Sequence, residues 1–382
     1  AKAGRRADIA SQRPVGELHS PERVGCSPGS ERDQRRLVVG RHQWGAQVTR
    51  ADLDCPQLAA LRAVAWVVGL TACSFAAVPA GAITYELVPV GNPGNADDVY
   101  GYGGVAYPYR IGRFEVTIGQ YAAFLNAVAA TDTHGLYNPS MGAVPNVAGI
   151  GREGSSGSYT YSAMTNDGSS ADRPISSVTW FNAARFANRI SNGQPRGAQD
   201  ETTTENGAYD LNGTSGLTAV PRNAVNPNTS AAPTFFVPLE NEWYKAAYYD
   251  PTLNGGTGGY HLYATRSSTG PGNAIGDAAN QANSVAAGLL CVTQSPSYST
   301  TQSYLTDVGA FPASGSFYGT FDQSGNVWEW NDLDGAASAS RGLRGGYWFA
   351  GAVPMQSVLY SSDSVTREDN GAGFRLASPA AP

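Results

Sequence analysis

Three long stretches of the chain, residues 131–172, 191–233 and 255–301, are rich in Gly, Asn, Ser and Thr. None shows the 3.6-residue period of a helix or the two-residue period of a strand. Unstructured loops beyond about 12–15 residues are uncommon inside a compact domain. A chain with three such stretches is therefore expected to fold as an irregular domain in which loops are ordered parts of the structure. Composition supplies the core, since 41% of the 382 residues are hydrophobic and 10% aromatic, unlike a disordered chain. Only 15% are charged, against about 25% in an average domain, which argues against a coiled coil or helical bundle.

Periodic segments lie between the loops. Thr117 and Gln120 form a T-x-x-Q capping box, and Tyr121, Phe124, Leu125 and Val128 follow at helical spacing. They predict a helix from about Ile118 to Ala129. A second helix is expected after Thr179, burying Trp180, Ala184, Ala187 and Ile190, and a third from Glu240 to Tyr248 with Trp243 and Ala247 on one face. Short strand-like runs fall at Tyr109–Thr117, Phe235–Pro238, Gly342–Phe349 and Gly373–Ala377. Few helices, short strands and much loop describe an irregular α+β domain.

The first part of the chain has a different character. Residues 1–62 hold eleven basic and seven acidic side chains, and the remainder fourteen and twenty-four, within a net charge of −6. The acidic balance argues against a nucleic-acid partner, and the basic stretch lacks interleaved aromatics. It is read as a leader, residues 1–61. The apolar run Ala63–Ala80 ends in Ala80-Gly81-Ala82, a small-x-small cleavage pattern, so residues 62–82 read as a signal peptide and residues 83–382 as the exported domain. Two alternatives stay open: lipidation at Cys73, within a lipobox-like Leu70-Thr71-Ala72-Cys73, and an uncut anchor. Membrane association is expected only in those cases. All three place the domain outside the cytoplasm, as a secreted, periplasmic or surface protein. Of Cys26, Cys55, Cys73 and Cys291, cleavage after Ala82 leaves Cys291 alone, with no intramolecular disulfide or two-thiolate site available.

Five segments, in order, resemble the formylglycine-generating enzyme family, also called sulfatase-modifying factors. They are YRIGRFEVTIGQYAAFLNAV (Tyr109–Val128), PISSVTWFNAARFAN (Pro174–Asn188), FFVPLENEWYKAA (Phe235–Ala247), GTFDQSGNVWEW (Gly319–Trp330) and the closing pair LRGGYWFA and GAGFRLA (Leu343–Ala350, Gly371–Ala377). The resemblance implies a single irregular domain related to C-type lectins, with Trp180, Trp243, Trp328 and Trp348 in its core.

It also implies a structural Ca²⁺ ion held by the side chains of Asp322 and Glu329 and the carbonyls of Gly325 and Val327. A tight turn at Gly325 suits such an oxygen-rich shell. A second ion site would begin at Asn283 and Ser284. Enzymes of the family bind copper(I) through two cysteines five apart after R-G-G-S-W and oxidise a substrate cysteine with O₂. Here those positions are Ala350 and Met355, and no cysteine follows Cys291. No copper and no family catalytic residue are therefore expected, because copper(I) needs soft thiolates. The related iron-dependent sulfoxide synthases need three histidine-type ligands, whereas His134 and His261 lie far apart in loops. The expected function is binding of a protein or glycan ligand, through Tyr347, Phe349, Gln356, Tyr360, Ser361, Ser362 and Asp363. The alternatives are an oxidoreductase with an unidentified metal site and a ligand-binding protein diversified by a retroelement.

Overall fold

The structure is a computed structural model that describes residues 82–380 apart from 215 and 217. The leader, the apolar run and the cleavage and lipidation sites expected there lie outside the described residues. Two helices and two small sheets build the centre. Thr117 Oγ1 accepts from Gln120 N at 3.2 Å and Gln120 Oε1 from Thr117 N at 2.9 Å. This reciprocal cap starts the helix Ile118–Val128. Thr179 caps the helix Trp180–Ser191 from one side only, accepting from Asn182 N at 3.0 Å. The third expected helix runs Glu240–Tyr248, with the Glu242 carboxylate accepting from Leu239 N at 2.7 Å.

A four-stranded sheet pairs Ser361–Ser364, Ser340–Arg344, Trp328–Asn331 and Ala372–Phe374 in that order, the last pair parallel. A three-stranded antiparallel sheet joins Leu87–Val90, Tyr109–Gly112 and Ala377–Pro379. Phe186 ties helices to sheet: its ring lies 5.2 Å from Phe124 and 5.4 Å from Phe374, both edge-to-face. Such pairs add about 0.5–1.5 kcal/mol to their burial. Trp180, Trp243 and Trp330 are fully buried, Trp348 is buried and Trp328 half-buried.

All four expected strands differ in extent: Gly342–Phe349 is strand only as far as Arg344, and Gly373–Ala377 divides between Ala372–Phe374 and Ala377–Pro379 in separate sheets. The strand from Tyr109 stops at Gly112: Arg113 N still bonds Glu86 O, and Val116 beyond it bonds Phe374 and Ile175 instead. Phe235–Pro238 contributes a single bridge, Phe236 to Ala377. Conversely, Trp328–Asn331 is a central strand although its sequence shows no alternation, since Glu329, Trp330 and Asn331 are all buried.

The long loops are not wholly without ladders, since Ile150–Glu153 pairs with Thr160–Ala163 and Val285–Ala286 with Leu289–Leu290, but side-chain amides hold much of the rest. Asn188 Nδ2 donates to the carbonyls of Thr204 and Tyr209 at 2.8 and 2.9 Å, and Asn146 Nδ2 to those of Ser299 and Gln302 at 2.8 and 2.7 Å. These bonds satisfy buried carbonyls that no strand partner reaches. They explain why Asn-rich segments without a period are nevertheless ordered.

Candidate functional site

The turn before Trp328 holds the residues expected to ligate calcium. Gly325 adopts φ +88°, and a Cβ there would stand 2.3 Å from the carbonyl oxygen of Asn283, so only glycine fits this close approach. Asn283 is itself buried, donating to Tyr304 O at 2.8 Å and Asn326 Oδ1 at 2.9 Å, while its carbonyl accepts from Asn326 N. Ser284 beside it is buried. Val327 packs with Leu290, Tyr304 and Trp348.

The two carboxylates of the turn have different hydrogen-bond partners, although the Arg375 and Glu329 charges also act on Asp322. Glu329 accepts from Arg375 Nε and Nη2, both at 2.6 Å, and from Trp243 Nε1 at 2.8 Å. Asp322 Oδ2 accepts from Gly309 N at 2.6 Å, and burial pushes its carboxyl up to about 6. Among the described residues no group of three or more His, Cys, Asp or Glu side chains could hold a metal. With both oxygens of Glu329 facing a guanidinium, the donor set does not fit a cation shared between Asp322 and Glu329.

Met355 and Ala350, the residues the resemblance sets at the family's cysteine positions, are both buried. Met355 is 0% exposed and sits with Tyr263 and Ala282, flanked by Leu262 and Ala352. Ala350 is buried and its carbonyl accepts from Val285 N at 2.8 Å. Cys291 is buried, its Sγ donating to Asn273 O at 3.2 Å, and burial pushes its thiol up to about 12. A thiol in that state is neither a nucleophile nor a copper ligand at neutral pH.

Beside these positions an aromatic stack reaches the surface. Trp348 and Tyr304 lie 4.9 Å apart and 4° from parallel, and Tyr304 and Tyr298 lie 5.7 Å apart at 13°. Tyr304 and Trp348 are buried, whereas Tyr298 is 48% exposed. Phe349, 46% exposed, meets Tyr298 at 5.5 Å and 67°. Two exposed rings thus make a corner on a buried, stacked base. The corner is also pinned: the Tyr298 hydroxyl bonds Asn146, which holds the following loop. Tyr298 was missed in the sequence because its segment, PSYSTTQS, carries no period or motif. A Tyr embedded in a Ser/Thr-rich loop was the available signal.

The other expected ligand residues are dispersed. Tyr347 is half-buried, 6.1 Å from the Trp348 ring and stacked at 6.5 Å on Trp328. Gln356 Nε2 donates to the Tyr263 hydroxyl at 3.0 Å. Tyr360 belongs to a separate cluster, 6.0 Å from the Tyr102 ring and 5.8 Å from the Arg344 guanidinium. Ser361 and Ser362 pair with Leu343 and Gly342, and Asp363 is ion-paired with Arg367. The two loop histidines have carboxylate neighbours instead of solvent alone: His134 lies 3.7 Å from Glu205 and His261 3.2 Å from Asp250.

Residues 78–380 match the family described as the sulfatase-modifying factor enzyme 1-like domain. The chain belongs to this family. No curated protein matches it. Similar solved structures include CarF, at 20% identity over 78% of this chain and 99% of that one, with a TM-score of 0.44. Others are variable protein 1 of Treponema denticola, at 18% over 78% and 96% with a TM-score of 0.40, and PvdO from Pseudomonas aeruginosa, at 17% over 77% and 92% with 0.36. In this sulfatase-modifying factor-like domain, Ala350 and Met355 are both buried, with an aromatic corner at Tyr298 and Phe349 beside Ala350.

Proposed function

We propose that this chain is an exported, ligand-binding member of the sulfatase-modifying factor family, without the family's copper-dependent thiol oxidation. The observation that carries the reading is the exposed corner of Tyr298 and Phe349, one residue from Ala350 and backed by the buried Tyr304–Trp348 stack. Aromatic rings give contact area at low entropic cost, and rigid support lowers that cost further. Ser297, Ser299 and Thr301 neighbour Tyr298 in sequence and would supply adaptable hydrogen bonding of the kind recognition loops use. A glycan or protein surface is the ligand class that such a shallow, polar-rimmed aromatic face fits. Packing of Met355 and the protonated, buried Cys291 support the absence of oxidase chemistry.

The test is binding to glycan and protein arrays by the chain from residue 83, wild type against a Tyr298→Ala/Phe349→Ala variant. The reading expects specific features bound by the wild type and lost in a variant whose melting point is retained. Equal binding by both would overturn it. Export rests on the apolar run ending at Ala80-Gly81-Ala82, and expects the mature N-terminus at Ile83 by sequencing. A chain that starts at lipidated Cys73, or remains uncut, would contradict that placement.

A further inference from the structure

The turn expected to hold calcium is tied together by another cation. Arg375 and Glu329 are both 0% exposed. The Arg375 guanidinium donates to Glu329 Oε1 and Oε2 at 2.6 Å each and to Phe321 O at 2.8 Å. It also donates to Gly112 O at 2.9 Å and Arg113 O at 3.2 Å. Five N–H donors thus meet five oxygens, drawn from the end of the Tyr109–Gly112 strand, the residue before Asp322 and the Trp328–Asn331 strand. That collection of carbonyls and a carboxylate from separate segments is what a hard cation does in an oxygen shell. Guanidinium does it with fixed, bidentate geometry.

A further buried carboxyl lies beside the guanidinium without bonding to it. Glu115 Oε2 lies 3.9 Å from Arg375 Nη2, and both its oxygens are buried without a hydrogen-bond partner. Burial pushes this carboxyl well above the usual range, so it takes up a proton more readily than an ordinary glutamate. A divalent ion drawn to Glu329 would sit against the guanidinium, and at such distances like charges in a buried site repel strongly.

We propose that Arg375 performs, at the Asp322–Glu329 turn, the structural task that family resemblance assigns to Ca²⁺, and that the native domain is calcium-independent. The fold then gathers its central turn with a covalently attached cation, and its stability does not follow the calcium level outside the cell.

The experiment uses the unmodified chain from residue 83. Metal content after gel filtration is measured by plasma mass spectrometry, and melting by calorimetry in EDTA and in excess CaCl₂. The proposal expects substoichiometric calcium and melting points that agree within about 1 °C. An ion bound only by the native state at a hundredfold excess over Kd would shift melting by several degrees, roughly 5 °C for a domain of this size. A shift of that order, or one calcium per chain retained through the column, overturns the proposal. Arg375→Lys keeps the charge but loses the bidentate fork. It is expected to melt more than about 5 °C lower in both buffers, and a variant melting like the wild type contradicts the role given to Arg375. If that variant fails to fold, the wild-type metal content and calorimetry still decide.

Discussion

Met355→Ala distinguishes a packed core from an open catalytic pocket. Met355 is 0% exposed, in contact with Tyr263 and Ala282, and a Cβ added at Gly346 would lie only 2.9 Å from its Cγ. Removing a buried Met side chain forfeits its transfer free energy and leaves a cavity, together about 2–5 kcal/mol. With about 3 kcal/mol as the central value and roughly 2 °C per kcal/mol at this domain size, melting should fall by about 6 °C. At an open, solvent-lined pocket the same change would stay within about 0.5 kcal/mol. The assay is calorimetry supported by urea unfolding, where the midpoint should drop with an unchanged slope. Met355→Leu, which conserves volume, should lose less than about 1.5 kcal/mol. A Met355→Ala variant melting within about 1 °C of wild type would refute the packed reading.

Two further outcomes follow from buried groups. Cys291, with its thiol pushed up to about 12, should resist an aromatic disulfide reagent at pH 8 in the native protein and react fully in denaturant, and rapid native labelling would contradict its burial. Lys245 donates to Asn92 O at 2.8 Å, and burial lowers its ammonium to about 8. Its folded value thus lies below the unfolded one, so the cost of charging it is fully present below pH 8 and is relieved as pH rises toward about 10.5. The stability advantage of Lys245→Met, at most about 3 kcal/mol at pH 7, should shrink by pH 9.5, as read from paired urea titrations. A constant difference across that range would refute the assignment.

The two best-capped helices were legible because Thr117, Gln120 and Thr179 state their starts locally, and the apolar spacing after them states their buried faces. The Trp328–Asn331 strand was not legible as a strand, because burial on both faces removes the alternation that marks one. At the site, sequence reasoning grouped Phe349 and Tyr347, and the rings of both lie beside Trp348. It did not find Tyr298, which reaches Phe349 only because Asn146 pins a distant loop. Nor did it separate Tyr360, which the turn after Met355 carries to the Tyr102 and Arg344 cluster. The family motif named Glu329 as a cation ligand, but its partner Arg375 is 46 residues away, and only the fold brings that guanidinium to it.

The central claim, a family member that binds rather than oxidises, is tested most directly on a cysteine-bearing sulfatase-type peptide. The chain from residue 83 is incubated with copper(I), a reductant and air, and the peptide is followed by mass spectrometry against a copper-only blank. The account predicts no mass loss of the kind that marks conversion of a thiol to an aldehyde, because Ala350 and Met355 supply no thiolate and Cys291 is buried and protonated. Conversion above the blank would contradict it.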